Sequence, residues 1–213
     1  DLHLSLRRQR QMCIRDSRIT APRVTAARPE GSTFPPLSYV EFDFDRAMDT
    51  GSFAIADDVV SFAGPQGEIS PSGFAWRNER TLRISFEPQW QAGLYTMTLG
   101  PGILDESGDA LDTDGDSVPG EVPDDQYTAS FTITAPRVVA SDPTGLTVGP
   151  VESVTFNFDR QMDTASFSLG EDVVSFTGPA GPIAMTGYEW LDDRTLEVTF
   201  SPQFRAGSYT MVI

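Results

Sequence analysis

The sequence predicts an all-β protein built from two tandem antiparallel β-sandwiches, and three observations support this prediction. Apolar and polar residues alternate with a period of two in several short segments, and turns rich in Gly and Pro separate those segments. No segment has the period and length of a long helix. Finally, the chain repeats itself after 114 residues, the offset from Ala21 to Ala135.

The repeat aligns without a gap, and about half of the positions from 21 to 99 are identical in the second copy. It pairs "FDFDRAMDTGSF" with "FNFDRQMDTASF", "DDVVSFAGPQG" with "EDVVSFTGPAG", and "AGLYTM" with "AGSYTM". Each copy is near the length of an immunoglobulin-like sandwich, about 100 residues. We therefore expect a complete immunoglobulin-like domain at residues 18–134. A second, truncated one at residues 135–213 is expected to lack its last strand.

The strands follow from alternation, in which every second side chain faces the core. The segments "YVEFDFD" and "TLRISF" place these residues on one face: Val40, Phe42, Phe44, Leu82, Ile84 and Phe86. Copy two repeats them as Val154, Phe156, Phe158, Leu196, Val198 and Phe200. Three further strands of copy one are "DVVSF", "LYTMTL" and "YTASFTI", with inward residues Val60, Phe62, Tyr95, Met97, Leu99, Tyr127, Ala129, Phe131 and Ile133.

Turns are predicted at "GPQG", "WRNER" and "EPQWQAG", and at "GPAG", "WLDDR" and "SPQFRAG" in copy two. Only "MDTGSF" and "MDTASF" resemble a short helical turn, which Asp49 or Asp163 would cap.

The first seventeen residues differ from the rest, because they contain Cys13 and His3, the only cysteine and histidine of the chain. The run "MCIRDS" can be written in codons that resemble a sequencing-library adaptor, and no apolar signal core follows the basic residues. We interpret residues 1–17 as a sequencing or assembly artefact and expect them to be disordered.

The composition is strongly acidic, with 15 basic and 31 acidic residues and a net charge of −16. Such a surface repels nucleic acid and anionic lipid. It suits a secreted, a cation-binding or simply a very soluble protein. Without a disulfide framework each domain must be held by its apolar core or by a metal. No apolar run approaches the roughly 18 residues that span a bilayer, so no membrane insertion is expected.

The ordered motifs "V-x-F-x-F-D-R-x-M-D-T-x-S-F", "D-V-V-S-F-x-G-P", "W-x-x-x-R-T-L", "A-G-x-Y-T-M" and "I-L-D-x-x-G-D-A-L-D" carry a resemblance. Together they resemble the bacterial Ig-like repeats of the S-layer (SbsA-like) type, over essentially all of residues 21–213. The resemblance implies an extracellular β-sandwich module, repeated in tandem in large secreted or cell-surface proteins. It does not imply an enzyme.

The stretch from Leu104 to Tyr127 holds nine acidic residues and no basic one. Calcium takes six to eight oxygen ligands, and a "D-x-D-G-D" run brings alternate carboxylates to one point. The candidate calcium ligands are Asp112, Asp114, Asp116, Glu121 and Asp124. The pattern departs from an EF-hand, because Ser117 stands where the glycine should be and Pro123 where a bidentate glutamate should be. The alternative is a solvated acidic loop between the last two strands.

Two other motifs invite functional interpretations. The repeated "DR" pairs, Asp45–Arg46 and Asp159–Arg160, are best explained as charged turns beside Met48 and Met162. The aromatic residues Trp76, Trp90, Trp190 and Phe204 could stack on sugars, although Trp76 and Trp190 are more simply core or hairpin anchors.

Catalysis finds no support, since no histidine lies outside the first seventeen residues and no phosphate-binding glycine motif occurs. The expected function is a non-catalytic extracellular spacer or adhesion module of a bacterial protein, stabilised by calcium. The alternative is a carbohydrate-binding module appended to a secreted hydrolase. The expected partners are neighbouring Ig-like modules, with a surface glycan or protein as ligand. Pro136 should stiffen the link between copies, and the acidic stretch should lie at the N-terminal end of its module.

Overall fold

The structure, a computed structural model, describes residues 19–213, so the interpretation of residues 1–17 lies outside the described residues. The described chain is nearly all β, which confirms the predicted fold class. It forms two compact units that divide between Thr134 and Ala135. No helix within residues 19–213 has the length and apolar character needed to cross a membrane.

Unit one, described from Ile19 to Thr134, contains nine strands and one helix of a single turn. The strands are β1 (Val24–Arg28), β2 (Gly31–Thr33), β3 (Leu37–Phe44), β4 (Val59–Gly64), β5 (Gly67–Glu68), β6 (Pro71–Asn78), β7 (Thr81–Gln89), β8 (Gly93–Leu99) and β9 (Tyr127–Ile133). The helix is α1 (Ile55–Asp58).

Unit two contains β10 (Val138–Asp142), β11 (Val151–Phe158), α2 (Leu169–Asp172), β12 (Ser175–Gly178), β13 (Gly181–Pro182), β14 (Met185–Asp192), β15 (Thr195–Gln203) and β16 (Thr210–Val212).

Two sheets form the sandwich of unit one. The first has the order β1-β3-β7-β6 and is antiparallel. The second has the order β2-β9-β8-β4-β5, in which only β2 and β9 are parallel. Between them lie the predicted inward residues of β3, β7 and β8, all buried, and burying each large side chain contributes about 1.5–3 kcal/mol.

Two details of the strand prediction are wrong. Val60 is 48% exposed although it was placed on the inward face with Phe62. A β-bulge between Val59 and Ser61 shifts the register of β4, so that Val59 packs on the core instead. The segment around Trp76 is a strand, β6, and the turn is shorter than "WRNER". Pro71 and Gly73 are unusual in a strand, so the sequence pattern did not predict β6. The strand tolerates them because it lies at the edge of its sheet.

The repeated "GP" and "A-G-x-Y" motifs pack against each other. The Tyr95 hydroxyl donates a hydrogen bond to the backbone carbonyl of Gln91 at 2.8 Å, which closes a tyrosine corner. A Cβ on Gly64 would lie 2.6 Å from the Tyr95 ring, and one on Gly93 would lie 2.5 Å from the Pro65 ring. Only glycine therefore fits at both positions. Unit two repeats the arrangement with Tyr209, Arg205, Gly178, Gly207 and Pro179.

Unit two has the same four-stranded sheet, in the order β10-β11-β15-β14, but its second sheet has only three strands, in the order β13-β12-β16. Its fully packed core is correspondingly smaller and is centred on Phe156, Leu196 and Val198.

Candidate functional site: the acidic loop and the leading segment

The acidic loop, residues 104–126, connects β8 to β9 and lies beside the segment that leads into β1. The backbone N–H of Asp112 donates to the Pro22 carbonyl at 2.9 Å. Asp105 forms a β-bridge with Met48, and its carboxylate lies 3.5 Å from Nη1 of Arg46. These contacts fix the loop at the end of unit one where the chain enters the sandwich.

Three of the predicted calcium ligands come together in this loop. One carboxylate oxygen each from Asp112, Asp114 and Asp116 lies within 4.8 Å of the others. Asp112 is buried, whereas Asp114 and Asp116 are exposed. Oxygen ligands of one calcium ion, each 2.3–2.6 Å from the metal, are separated by up to about 5 Å. The spacing of the three carboxylates therefore fits that ion.

The other two predicted ligands stand apart from this group. Among the described residues, the cluster with metal-ligand spacing includes neither Glu121 nor Asp124, and Asp124 is exposed. Desolvation of its carboxyl raises the pKa of Glu121, and so do the negative charges of Asp116, Asp125, Asp114 and Asp124. Glu121 thus experiences the negative potential of the loop.

Buried aspartates order the loop by accepting backbone hydrogen bonds. The Asp125 carboxylate accepts from the N–H groups of Thr113 and Glu121 at 2.8 and 2.9 Å. The Asp112 carboxylate accepts from Gly115 and Ser117 at 2.7 and 3.1 Å.

Asp105 plays the same part nearer the start of the loop. One of its oxygens accepts from Ser107 and Asp109 at 2.8 and 3.1 Å. Sequence reasoning counted these aspartates only as charge or ligands and missed their role as acceptors. For Asp105 and Asp112 the signal was present, because an aspartate with Ser or Gly two or three residues later favours such side chain to backbone turns.

The donor set remains compatible with a calcium ion. Each carboxylate oxygen has two lone pairs, so an oxygen that accepts one N–H can still ligate a metal. Oxygen is the ligand atom that calcium prefers, and the loop offers carboxylates of which two are solvent-accessible.

The "DR" pair of unit one holds the leading segment, which we define as residues 20–23. The Arg46 guanidinium donates to the carbonyls of Thr20 and Ala21 at 2.5 and 3.1 Å. Asp45 binds the same guanidinium through Nε at 3.1 Å and accepts the backbone N–H of Arg23 at 3.3 Å. The pair therefore does more than form a charged turn beside the buried Met48, since it fixes the path of the chain into β1.

We call this set of bonds from a "DR" pair to the segment before the first strand the latch. Unit two repeats the latch on residues 135–137. Arg160 donates to the Ala135 carbonyl at 3.0 Å and binds Asp159 at 2.8 Å. Asp159 accepts the backbone N–H of Arg137 at 3.3 Å. The hydrogen bond from Arg160 lowers the pKa of Asp159 to about 2.

The aromatic candidates fall into two classes. Trp76 packs on Phe44 and Trp190 on Phe158, each with ring centroids 5.6 Å apart. Both indole N–H groups are buried and have no hydrogen-bond partner within the described chain. Trp90, by contrast, is 67% exposed and its counterpart Phe204 is 79% exposed. Only these two could stack on a ligand without rearrangement of the fold.

No family model matches the chain, and no curated protein matches it. Among solved structures, CopC from Methylosinus trichosporium OB3b is 15% identical, with 53% of this chain and 93% of that chain covered and a TM-score of 0.32. The N-terminal part of the bacterial S-layer protein SbsC is 13% identical, with 91% of this chain and 44% of that chain covered and a TM-score of 0.39. Titin-A168169 is 10% identical, with 91% and 97% covered and a TM-score of 0.31.

This chain therefore spans less than half the length of the SbsC structure that it matches. At these identities and TM-scores, none of the three likenesses identifies a family or a function for this chain.

Proposed function

We propose that this chain is a non-catalytic structural part of a bacterial secreted or cell-surface protein, in which tandem β-sandwich modules serve as a spacer or adhesive stalk. The observation that carries the proposal is the bonding of the residues on either side of the division between the units. The Thr134 N–H donates to the Thr33 carbonyl within unit one at 3.0 Å. The carbonyl of the next residue, Ala135, is held by Arg160 within unit two.

A rigid spacer keeps its two ends at a fixed distance, which requires that no flexible linker joins its modules. The junction has no run of residues left over for a flexible linker, because its adjoining residues are hydrogen-bonded within their own units. Pro136 further restricts the backbone there by fixing its φ angle. Both features favour a stiff junction.

Spin-label distance measurements test the spacer. Labels at Glu68→Cys in unit one and Glu171→Cys in unit two, in a Cys13→Ser background, should give a narrow distance distribution. Arg160→Ala should broaden it by releasing Ala135. Arg46→Ala, which removes the equivalent latch at the start of unit one, should leave the width unchanged. A broad distance distribution in the parent chain would refute the stiff spacer, and an equally narrow one in Arg160→Ala would show that this arginine does not stiffen the junction.

The proposal includes a calcium ion in the acidic loop of unit one. Asp112, Asp114 and Asp116 would be the primary ligands, and Glu121 or Asp124, which stand apart from this group, would close the shell after a local rearrangement of the loop. The support comes from the 4.8 Å grouping of three carboxylate oxygens and from the mutual repulsion of uncompensated charges, which a divalent cation would relieve. The backbone N–H of Asp112 donates to the carbonyl of Pro22 in the leading segment. An ion that fixed the Asp112 carboxylate would therefore also stiffen that segment.

Calorimetry with calcium and with a chelator tests the ion. Calcium should raise the melting temperature of unit one, magnesium should act more weakly, and Asp114→Asn with Asp116→Asn should remove the response. An unchanged melting temperature in the parent chain would exclude a structural ion and leave the solvated acidic loop.

A carbohydrate-binding module of a secreted hydrolase is the second candidate function. It is favoured by Trp90 and Phe204, exposed aromatic residues in the same loop of the two units. Binding on a glycan array that disappears in Trp90→Ala, but persists in the core variant Trp76→Phe, would select this function over the spacer.

A further inference from the structure

The outer faces of the two four-stranded sheets differ in charge, although their strands have the same order and register. In unit one, a row of outward side chains crosses all four strands and consists of Arg28, Glu41, Arg83 and Ala75. The same row in unit two consists of Asp142, Thr155, Glu197 and Glu189. We call these the basic row, with two positive charges and one negative charge, and the acidic row, with three negative charges.

Two carboxylates of the acidic row lie directly opposite each other. Glu189 on β14 pairs with Glu197 on β15, and both face outward because Leu196 and Val198, on either side of Glu197, are fully buried. Like charges directly opposite each other destabilise a sheet. Within residues 135–213, no arginine forms an ion pair with either glutamate or with Asp142. The acidic row is therefore uncompensated within its own unit, which favours a cationic partner.

The arginines on the same face of unit one are held in position. Arg83 donates two hydrogen bonds to Glu41, at 2.8 and 3.0 Å, and its Cζ lies 3.8 Å from the centroid of the Tyr39 ring. Arg28 and, beside the row, Arg77 also contact acids of β3, and the side chains of both are more than half exposed. A guanidinium group has five N–H donors, so both have donors left for a partner. Because they are already positioned, they lose little freedom on binding carboxylates.

We propose that the acidic row of one chain binds the basic row of a second copy of this chain. The charges of the two rows are complementary, and both rows have the same spacing between strands, so a face-to-face contact brings guanidinium groups against carboxylates. A metal ion fits the acidic row less well, since among residues 19–213 the acids with metal-ligand spacing are those of the acidic loop. Because the two rows differ, the contact is heterologous, and it either continues from chain to chain or closes on itself.

The size of the sheet face sets the strength of this contact. With strands about 4.8 Å apart and residues about 3.3 Å apart along a strand, a face of four strands and about eight residues covers roughly 500 Å². Two such faces together bury about 1,000 Å², which is the size of weak and transient interfaces. Salt also screens exposed ion pairs. We therefore expect association at micromolar or higher concentrations of the chain at low salt, and its loss at high salt.

Analytical ultracentrifugation of the full chain tests the contact, with Cys13→Ser to exclude a disulfide and with a chelator to exclude bridging by calcium. The parent chain should associate at low salt and be monomeric at about 0.5 M salt, where the Debye length is about 4 Å. Glu189→Gln with Glu197→Gln should weaken the association about tenfold, because it removes two of the three charges of the acidic row. The same variant should raise the melting temperature of unit two by removing the repulsion, so that weaker association cannot be attributed to unfolding.

A second variant, Arg28→Gln with Arg77→Gln, impairs the basic row and leaves the stack of Arg83 on Tyr39 in place. Neither variant should associate alone at the concentration where the parent chain does, whereas an equimolar mixture should form a 1:1 complex, since each variant keeps one intact row.

A matched control neutralises two exposed glutamates outside the sheets, Glu106→Gln with Glu171→Gln, and should associate like the parent chain. A parent chain that stays monomeric at low salt, a control that changes association as much as the Glu189 and Glu197 variant does, or a mixture that forms no complex would each overturn the proposal.

Discussion

Removal of the Asp125 carboxylate should unfold the acidic loop and destabilise unit one. Asp125 is fully buried, and its two oxygens accept the N–H groups of Thr113 and Glu121. A hydrogen bond to a charged group contributes about 1.5–3 kcal/mol. Because Thr113 and Glu121 are partly solvated, we take the lower end and expect Asp125→Ala to cost about 3 kcal/mol.

For a domain of this size that loss corresponds to a fall in melting temperature of roughly 10 °C or more. The assay is denaturant unfolding monitored by amide signals of unit one, together with hydrogen exchange of Thr113 and Glu121, which should become faster. The neighbouring exposed residue supplies the control, measured with a chelator present so that no ion is bound, since Asp124→Ala should then change stability by no more than about 0.5 kcal/mol. If Asp125→Ala costs no more than Asp124→Ala, buried aspartates do not order the loop.

Four further predictions concern the sandwiches themselves. Trp76→Phe should cost only the packing of the lost ring atoms, about 1–2 kcal/mol, since the lost indole N–H is buried without a partner; a loss above about 3 kcal/mol would mean that it is bonded. Gly93→Ala should cost more than about 2 kcal/mol, because its φ is +146° and the new Cβ would lie 2.5 Å from Pro65. Gly67→Ala, with open space around it, should cost less. The stability that Asp159 provides should be present above its unfolded pKa of 3.8 and be lost as the pH falls through about 2, which a carboxyl NMR titration would follow. Limited proteolysis should cut unit two before unit one, because its second sheet is smaller and one side of it is open; earlier cleavage of unit one would contradict this.

The period-two patterns predicted the central strands because those strands are buried on one face only. Val40, Phe42 and Phe44 alternate with Glu41 and Asp43, and the structure buries the first three. The same rule failed at Val60, where a bulge adds one residue to β4 and reverses the faces. Bulges depend on pairing with a neighbouring strand, which one segment of sequence does not contain.

The candidate site was less predictable for a different reason. The density of acidic residues and the "D-x-D-G-D" spacing predicted that Asp112, Asp114 and Asp116 would lie together, and the fold brings them together. The role of Asp125 depends on Thr113, twelve residues away, and the role of Arg46 depends on Thr20, twenty-six residues away. Local spacing cannot predict such contacts, because only the folded sandwich creates them.

The latch on the leading segment affects how modules can be added to such a chain by gene duplication. Arg160 and the Ala135 carbonyl that it binds lie within one 114-residue period, as do Arg46 and Thr20. A gene duplication that copies a whole period therefore copies both the arginine of the latch and the backbone segment that the arginine binds. Copy number can thus change without any new bond having to evolve at the added end, whereas a cut placed at the first strand would separate the arginine from the carbonyls to which it donates.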